Sequence, residues 1–210
     1  MPSPADHSNS LTDVLAGWVH GWAISRSTPP PVALPEGYRI DVGQPHHLVR
    51  YVLPAPQQSL IDQLHEPGTW LKTAGNPPPT LSPRWTLEPP EYLMATPLKQ
   101  VERPATSPPA AAQVTRDGRL IQLPVEIDGV AAARGQVAVW GRYATFDQIV
   151  TEPAYRRRGL GSMVMQELSA AAITQGARYG VLVATEAGRA LYTRLGWDLI
   201  STLTVAWIRP

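Results

Sequence analysis

The sequence predicts an α/β fold with a mixed sheet, and three observations carry that prediction. Two apolar runs, residues 119–127 and 130–140, flank Asp128-Gly129, a pair that tolerates the positive φ of a tight hairpin. Across residues 162–175, Val164, Leu168 and Ala171/Ala172 recur at helical spacing, with Gly176 as a stop. A short apolar strand, 179–184, separates that helix from a second one at 187–195, completing a strand–helix–strand unit.

The elements follow in order. In the first half, helices are expected at 11–19 and 57–65, and strands at 22–25, 38–42, 47–53, 69–73 and 92–96. Pro77-Pro78-Pro79 reads as a loop, and Trp18, Trp22, Trp70 and Trp85 read as packing groups of a small core. In the second half, the hairpin of 119–127 and 130–140 leads to a strand at 145–151, which Pro153 ends. Leu191 and Leu195 share one face of the last helix, Gly196 closes it, and a final strand runs over 199–208. That strand reads as exposed, able to pair with the first half or with another chain in a homodimer.

Proline divides the chain. Twenty of the 23 prolines lie in the first 109 residues, and all five histidines lie there too. Long helices and central strands are disfavoured in such a segment. The expected division is a proline-rich α+β region at 1–103, a proline-stiffened linker at 104–117 and a second domain at 118–210. With 43% hydrophobic residues, the 210-residue chain can build a real core. A net charge of +1 argues against a dedicated nucleic-acid or membrane-surface protein. The absence of cysteine excludes disulfides and thiolate chemistry, and His46-His47 has no third ligand at useful spacing, so no metal is expected. No run reaches the length of a membrane span and the start lacks signal-peptide character, so a cytoplasmic location is expected.

The run Tyr155-Arg156-Arg157-Arg158-Gly159-Leu160-Gly161-Ser162 stands between a strand and a helix. Free N–H groups and the positive end of the helix dipole coincide at such a turn, and glycine lets a ligand approach the backbone. That chemistry suits a phosphate or pyrophosphate. Taken alone, the three arginines read as a solvated surface; the Gly-x-Gly and the helix behind them reverse that reading.

Arg156, Gly159 and Gly161 meet the pattern Gln/Arg-x-x-Gly-x-Gly/Ala, with Pro153-Ala154-Tyr155 leading in. About 30 residues on stands Leu191-Tyr192-Thr193-Arg194-Leu195-Gly196-Trp197. In these two signatures the region from 120 to 210 resembles the GNAT superfamily of acyl-CoA-dependent N-acyltransferases. The resemblance implies a GNAT-like mixed, mostly antiparallel sheet flanked by helices. It also implies acetyl-CoA as co-substrate, an amine acceptor (a small molecule in preference to a protein) and direct attack in a ternary complex. The pantetheine arm would pair with the strand near Ile149, Val150 and Thr151. The backbone from Arg157 through Gly159, Leu160 and Gly161 to Ser162 would hold the pyrophosphate, with Arg156 and Arg158 helping and Arg157 facing solvent. Tyr192 occupies the family's position for protonating the leaving thiolate, Gly188 would leave room for the cofactor, and Leu191 would touch it. Thr185 stands where many relatives have asparagine, so its contact with the pantetheine is in question.

The base is not given by the resemblance. Asp147 or Glu126 can serve directly or through water, and a histidine base has to come from the first half. Taken alone, Asp147 reads as a structural carboxylate, Tyr192 and Trp197 as packing residues, and Glu186 as a helix-start residue. Trp140 and Tyr143 read equally as acceptor-pocket walls or as strand packing. The first half reads either as a degenerate GNAT-like half-domain or as a cover on the acceptor side. An acyl-CoA-binding sensor without turnover is the competing function.

Overall fold

The structure is a computed structural model that describes residues 10–100 and 111–209; residues 104–110 of the linker expected at 104–117 lie outside the described residues. In chain order the elements are α1 (Leu11–Ser25), β1 (Val32–Leu34), β2 (Gly37–Gln44), β3 (His47–Leu53), α2 (Gln58–Gln63), β4 (Thr69–Ala74) and β5 (Trp85–Pro97). They continue with β6 (Ala111–Ala112), β7 (Thr115–Asp117), β8 (Leu120–Ile127), β9 (Val130–Trp140), β10 (Tyr143–Thr151), α3 (Leu160–Thr174), β11 (Tyr179–Ala184), α4 (Glu186–Arg194) and β12 (Asp198–Ile208).

All the described strands join one mixed sheet, in the order β1-β2-β3-β4-β12-β5-β11-β10-β9-β8-β6, with β7 also on β8. Pairing is antiparallel except between β3 and β4 and between β10 and β11. Composition divides the chain near residue 104, but the sheet does not follow that division: β5, from the first half, lies between β11 and β12 of the second. The final strand is therefore no edge. It pairs with β4 on one side and β5 on the other, both from the first half.

Strand alternation sends side chains to two faces. One face packs α3 and α4 over Ile121, Leu123, Val137, Ala144, Phe146 and Leu182. The other packs α1, through Val14, Leu15, Trp18, Val19 and Trp22, over Tyr143, Val181, Leu93 and Leu203. Residues 22–25, expected as a strand, are the last turn of α1. Their β-favouring side chains are overruled by burial, since Trp22, Ala23 and Ser25 continue the helical face that begins at Val14. Ser10 starts this helix by accepting the N–H of Asp13 at 3.1 Å.

The Asp128-Gly129 turn is as expected, with φ of 52° and 75°. The third strand begins at Tyr143, two residues before the expected start. Trp197 is a core residue, edge-on to Phe146 at 5.3 Å between ring centres.

Candidate functional site

The site is built where β10 and β11 part. These parallel strands pair only over Tyr143–Thr145 and Tyr179–Val181. Past Thr145 no ladder joins them, and β10 bulges between Asp147 and Val150 with Gln148 at φ 54°. The β11 side of β10 from Phe146 to Thr151 is thus left without a strand partner. Ile149, Val150 and Thr151 are half-buried along it.

At the end of β10 the chain turns through Pro153–Tyr155 into the arginine run. Arg157 has φ 61° and Gly159 has φ 78°, and Gly159 caps α3 without any side-chain hydrogen bond. Met163 N–H is the first to bond back, to the Gly159 carbonyl at 3.0 Å. The N–H groups of Leu160, Gly161 and Ser162 at the helix start are consequently free of helical partners. A Cβ placed on Gly161 would meet Thr151 at 3.6 Å and Leu191 at 3.8 Å, so this glycine sits in a gap between β10 and α4. Arg156 is tied back to the Thr151 carbonyl at 3.2 Å, Arg158 lies over the Tyr155 ring at 5.2 Å, and all three arginines are exposed. A groove of about 500 Å³ opens beside Ser162 and runs between α3 and Leu195–Asp198.

On α4, Thr185 caps the helix by accepting the Gly188 N–H at 3.3 Å. Its hydroxyl proton is still available to donate. Gly188 makes room chiefly for Tyr192, whose ring lies 3.3 Å from where a Gly188 Cβ would be. Tyr192 packs between that glycine and Trp197. Burial, with the nearby charge of Asp147, pushes its phenol up to about 12.

Asp147 emerges on the opposite face of β10 and meets the end of α1. It accepts from Ser25 Oγ at 2.6 Å, from Arg26 Nε at 2.6 Å and Nη2 at 3.0 Å, and from the Gln148 N–H at 2.9 Å. Gln136 holds Ser25 in turn, donating to its Oγ at 2.6 Å and its carbonyl at 2.8 Å. Four donors occupy the lone pairs of this carboxylate, so it is a fixed negative charge. Glu126 is exposed on β8, two strands from β10. Trp140 stacks on His20 at 4.1 Å, and Tyr143 packs under Gly17; neither lines the cavity described next.

Asp147 and Phe146 form one wall of a cavity of about 230 Å³ on the α1 face. Trp18 and Trp22 of α1 and Arg26 at its C-cap, spaced i, i+4 and i+8, form a second wall. Val183 of β11 adds to the lining, and the remaining side chains come from the first-half strands: His47 and Arg50 of β3, Lys72 of β4 and Glu91 of β5. Lys72 is ion-paired with Glu91 and almost fully buried. Burial pulls the Lys72 ammonium down to about 8 and the Arg50 guanidinium to about 10, while burial and the cations around it drive the His47 imidazole to about 3. Sequence reasoning did not find these first-half side chains. They are scattered over three strands with no shared spacing, and only the sheet order brings them together.

The fold and the second-half site have counterparts. Residues 117–198 match the family model described as an acetyltransferase (GNAT) domain. A GCN5-related N-acetyltransferase from Kribbella flavida superposes with a TM-score of 0.63 at 16% identity, over 90% of this chain and 92% of that one. A GNAT-family protein from Novosphingobium aromaticivorans does so with a TM-score of 0.58, also at 16% identity, over 95% and 99% of the two chains. No curated protein matches the sequence. Both structures share the fold of nearly the whole chain, and residues 117–198, with their glycine-capped helix and parted strands, are the part that matches the GNAT acetyltransferase domain model.

Proposed function

We propose that the protein moves an acetyl group from acetyl-CoA to a primary amine by direct attack in a ternary complex. The observation that carries this reading is the parting of β10 and β11 between two different environments. On one side lie free helix-start N–H groups and a groove; on the other lies a charged cavity.

In this reading the pantetheine amides pair with β10 at Ile149, Val150 and Thr151, and Thr185 and Leu191 flank them. The pyrophosphate takes the N–H groups from Gly159 to Ser162, helped by Arg156 and Arg158, with Arg157 outside. The nucleotide end has room in the groove beside Ser162. The acceptor enters from the α1 face. Its nitrogen lone pair forms the C–N bond at the thioester carbon, and collapse of the tetrahedral adduct breaks C–S, the pair leaving on sulfur. Tyr192 gives its proton to that thiolate, and the surplus proton on nitrogen restores the phenol. A phenol held up to about 12 stays protonated at neutral pH, as a donor must. Asp147 supports the developing positive nitrogen by charge. Its four hydrogen bonds argue for that role over proton abstraction.

The test is thermal stabilisation by acetyl-CoA against adenosine, followed by thioester consumption with a panel of amines. Stabilisation by the thioester alone, with turnover, is expected. Stabilisation without turnover by any amine would favour an acyl-CoA-binding module, and no stabilisation would remove both.

A further inference from the structure

We propose that the ligand of the α1-face cavity, and so the acceptor of the reaction above, is a small amine that carries a carboxylate bound at Arg50. The identification as acceptor rests on the transferase reading; the carboxylate site itself rests on the cavity alone.

The argument is one of charge and hydrogen bonding. Three cations, Arg26, Arg50 and Lys72, and two carboxylates, Glu91 and Asp147, line the cavity. Arg26 is paired with Asp147 and Lys72 with Glu91. Arg50 has no ion pair among the described residues, although only 8% of it is exposed. A cation buried to that degree is costly unless something of opposite charge meets it. Its Nε is buried without a hydrogen-bond partner among the described residues, and so is Nε2 of neighbouring His47. Native proteins rarely leave such atoms unpaired unless a ligand or water completes them.

The guanidinium is also held ready. Its Cζ lies 4.1 Å over the centre of the Trp22 ring, so the indole holds the cation in place at the cavity wall. The planar guanidinium fork suits a carboxylate. Neutral His47 leaves a single unmatched positive charge, which a carboxylate balances and a dianionic phosphate exceeds. Size agrees: about 230 Å³ is roughly eight water volumes, enough for an amino-acid-sized molecule and too little for a folded protein's chain end with its neighbours. The same cavity reaches Phe146 and Asp147 at the parting of the strands, so a carboxylate at Arg50 directs the amine toward that gap.

Titration calorimetry on the whole protein tests the site without any turnover. The probes are alanine, 3-aminopropanoate and 4-aminobutanoate, each against its carboxamide, with and without CoA. The acid of at least one pair is expected to bind about 10- to 100-fold more tightly than its amide, the usual worth of a charge-assisted pair. Arg50→Gln should abolish that preference while leaving stabilisation by acetyl-CoA unchanged. Comparable binding of acid and amide, binding of neither, or an unchanged preference in Arg50→Gln overturns the proposal. The acid–amide comparison needs no variant, so it decides the matter even if Arg50→Gln fails to fold. If the acids bind but acetyl-CoA does not, the carboxylate site stands and the transferase reading falls. If acetyl-CoA is consumed equally with acids and amides, the reverse holds.

Discussion

Tyr192 and Gly161 carry the sharpest expectations for single residues. Tyr192→Phe should lower kcat by about 10²-fold, the usual contribution of a positioned acid, and leave acetyl-CoA affinity nearly unchanged, because the ring still fills the space beside Gly188 and Trp197. Unaltered turnover would take Tyr192 out of the mechanism. Gly161→Val should keep the fold, since a Cβ there meets nothing nearer than 3.6 Å, yet acetyl-CoA should no longer raise its melting temperature. His47 sets a pH dependence. Its folded-state value near 3 lies below the ordinary 6.5, so as pH falls from about 6.5 towards 3 the unfolded chain takes up a proton that the fold refuses. Stability is lost over that window. In His47→Gln, urea midpoints between pH 7 and pH 4 should fall less steeply than in the wild type; parallel curves would refute the assignment. Both GNAT signatures were legible because each is a contiguous run. Arg50, Lys72 and Glu91 were not, since isolated charges in a proline-rich segment look like surface until the fold buries them.

Among the elements, α1 shows how local spacing becomes site geometry. Gly17, Gly21 and Ser25 follow at four-residue intervals, and they face Tyr143, Thr145 and Asp147, which follow at two-residue intervals on β10. Four helical residues rise about 6 Å and two strand residues about 6.7 Å, so the two rows stay in register. A Cβ on Gly17 would enter the Tyr143 ring and one on Gly21 would strike Thr145. The glycines therefore let the helix lie close, with Thr145 Oγ1 donating to the Gly17 carbonyl at 3.0 Å. That closeness delivers Ser25 and Arg26 to Asp147. Gly21→Val should push the helix outward, cost about 1–3 kcal/mol in urea unfolding as overpacking does, and weaken acceptor binding more than acetyl-CoA binding. An equal loss of both would show general disorder instead. Most strands and helices were readable from periodicity and turn chemistry, α1 only in part. Its last turn carries tryptophan and isoleucine, and their preference for strands misdirects a local reading that burial against the sheet decides otherwise.

For the whole molecule, the decisive fact is that the halves interleave. Nothing in composition reveals it, because strand order is a long-range property and proline content is local. The two segments that read as separate regions share a sheet in which β11 and β12 never touch as partners; β5 lies between them along their length. Tyr92 and Met94 of β5 also fill the core beneath α3 and α4. A chain of residues 118–210 alone would lose that strand. It would expose the facing edges of β11 and β12 and open a gap in the α3–α4 core, together with the bare α1 face of β10. Such a fragment should show little cooperative unfolding and no stabilisation by acetyl-CoA. Mixing it with a second chain of residues 1–103 should restore both, since each segment supplies strands the other lacks. The check is circular dichroism melting of the fragment, its partner and the mixture. Independent cooperative melting of 118–210 would mean that the strands of the second half can close the sheet without β5.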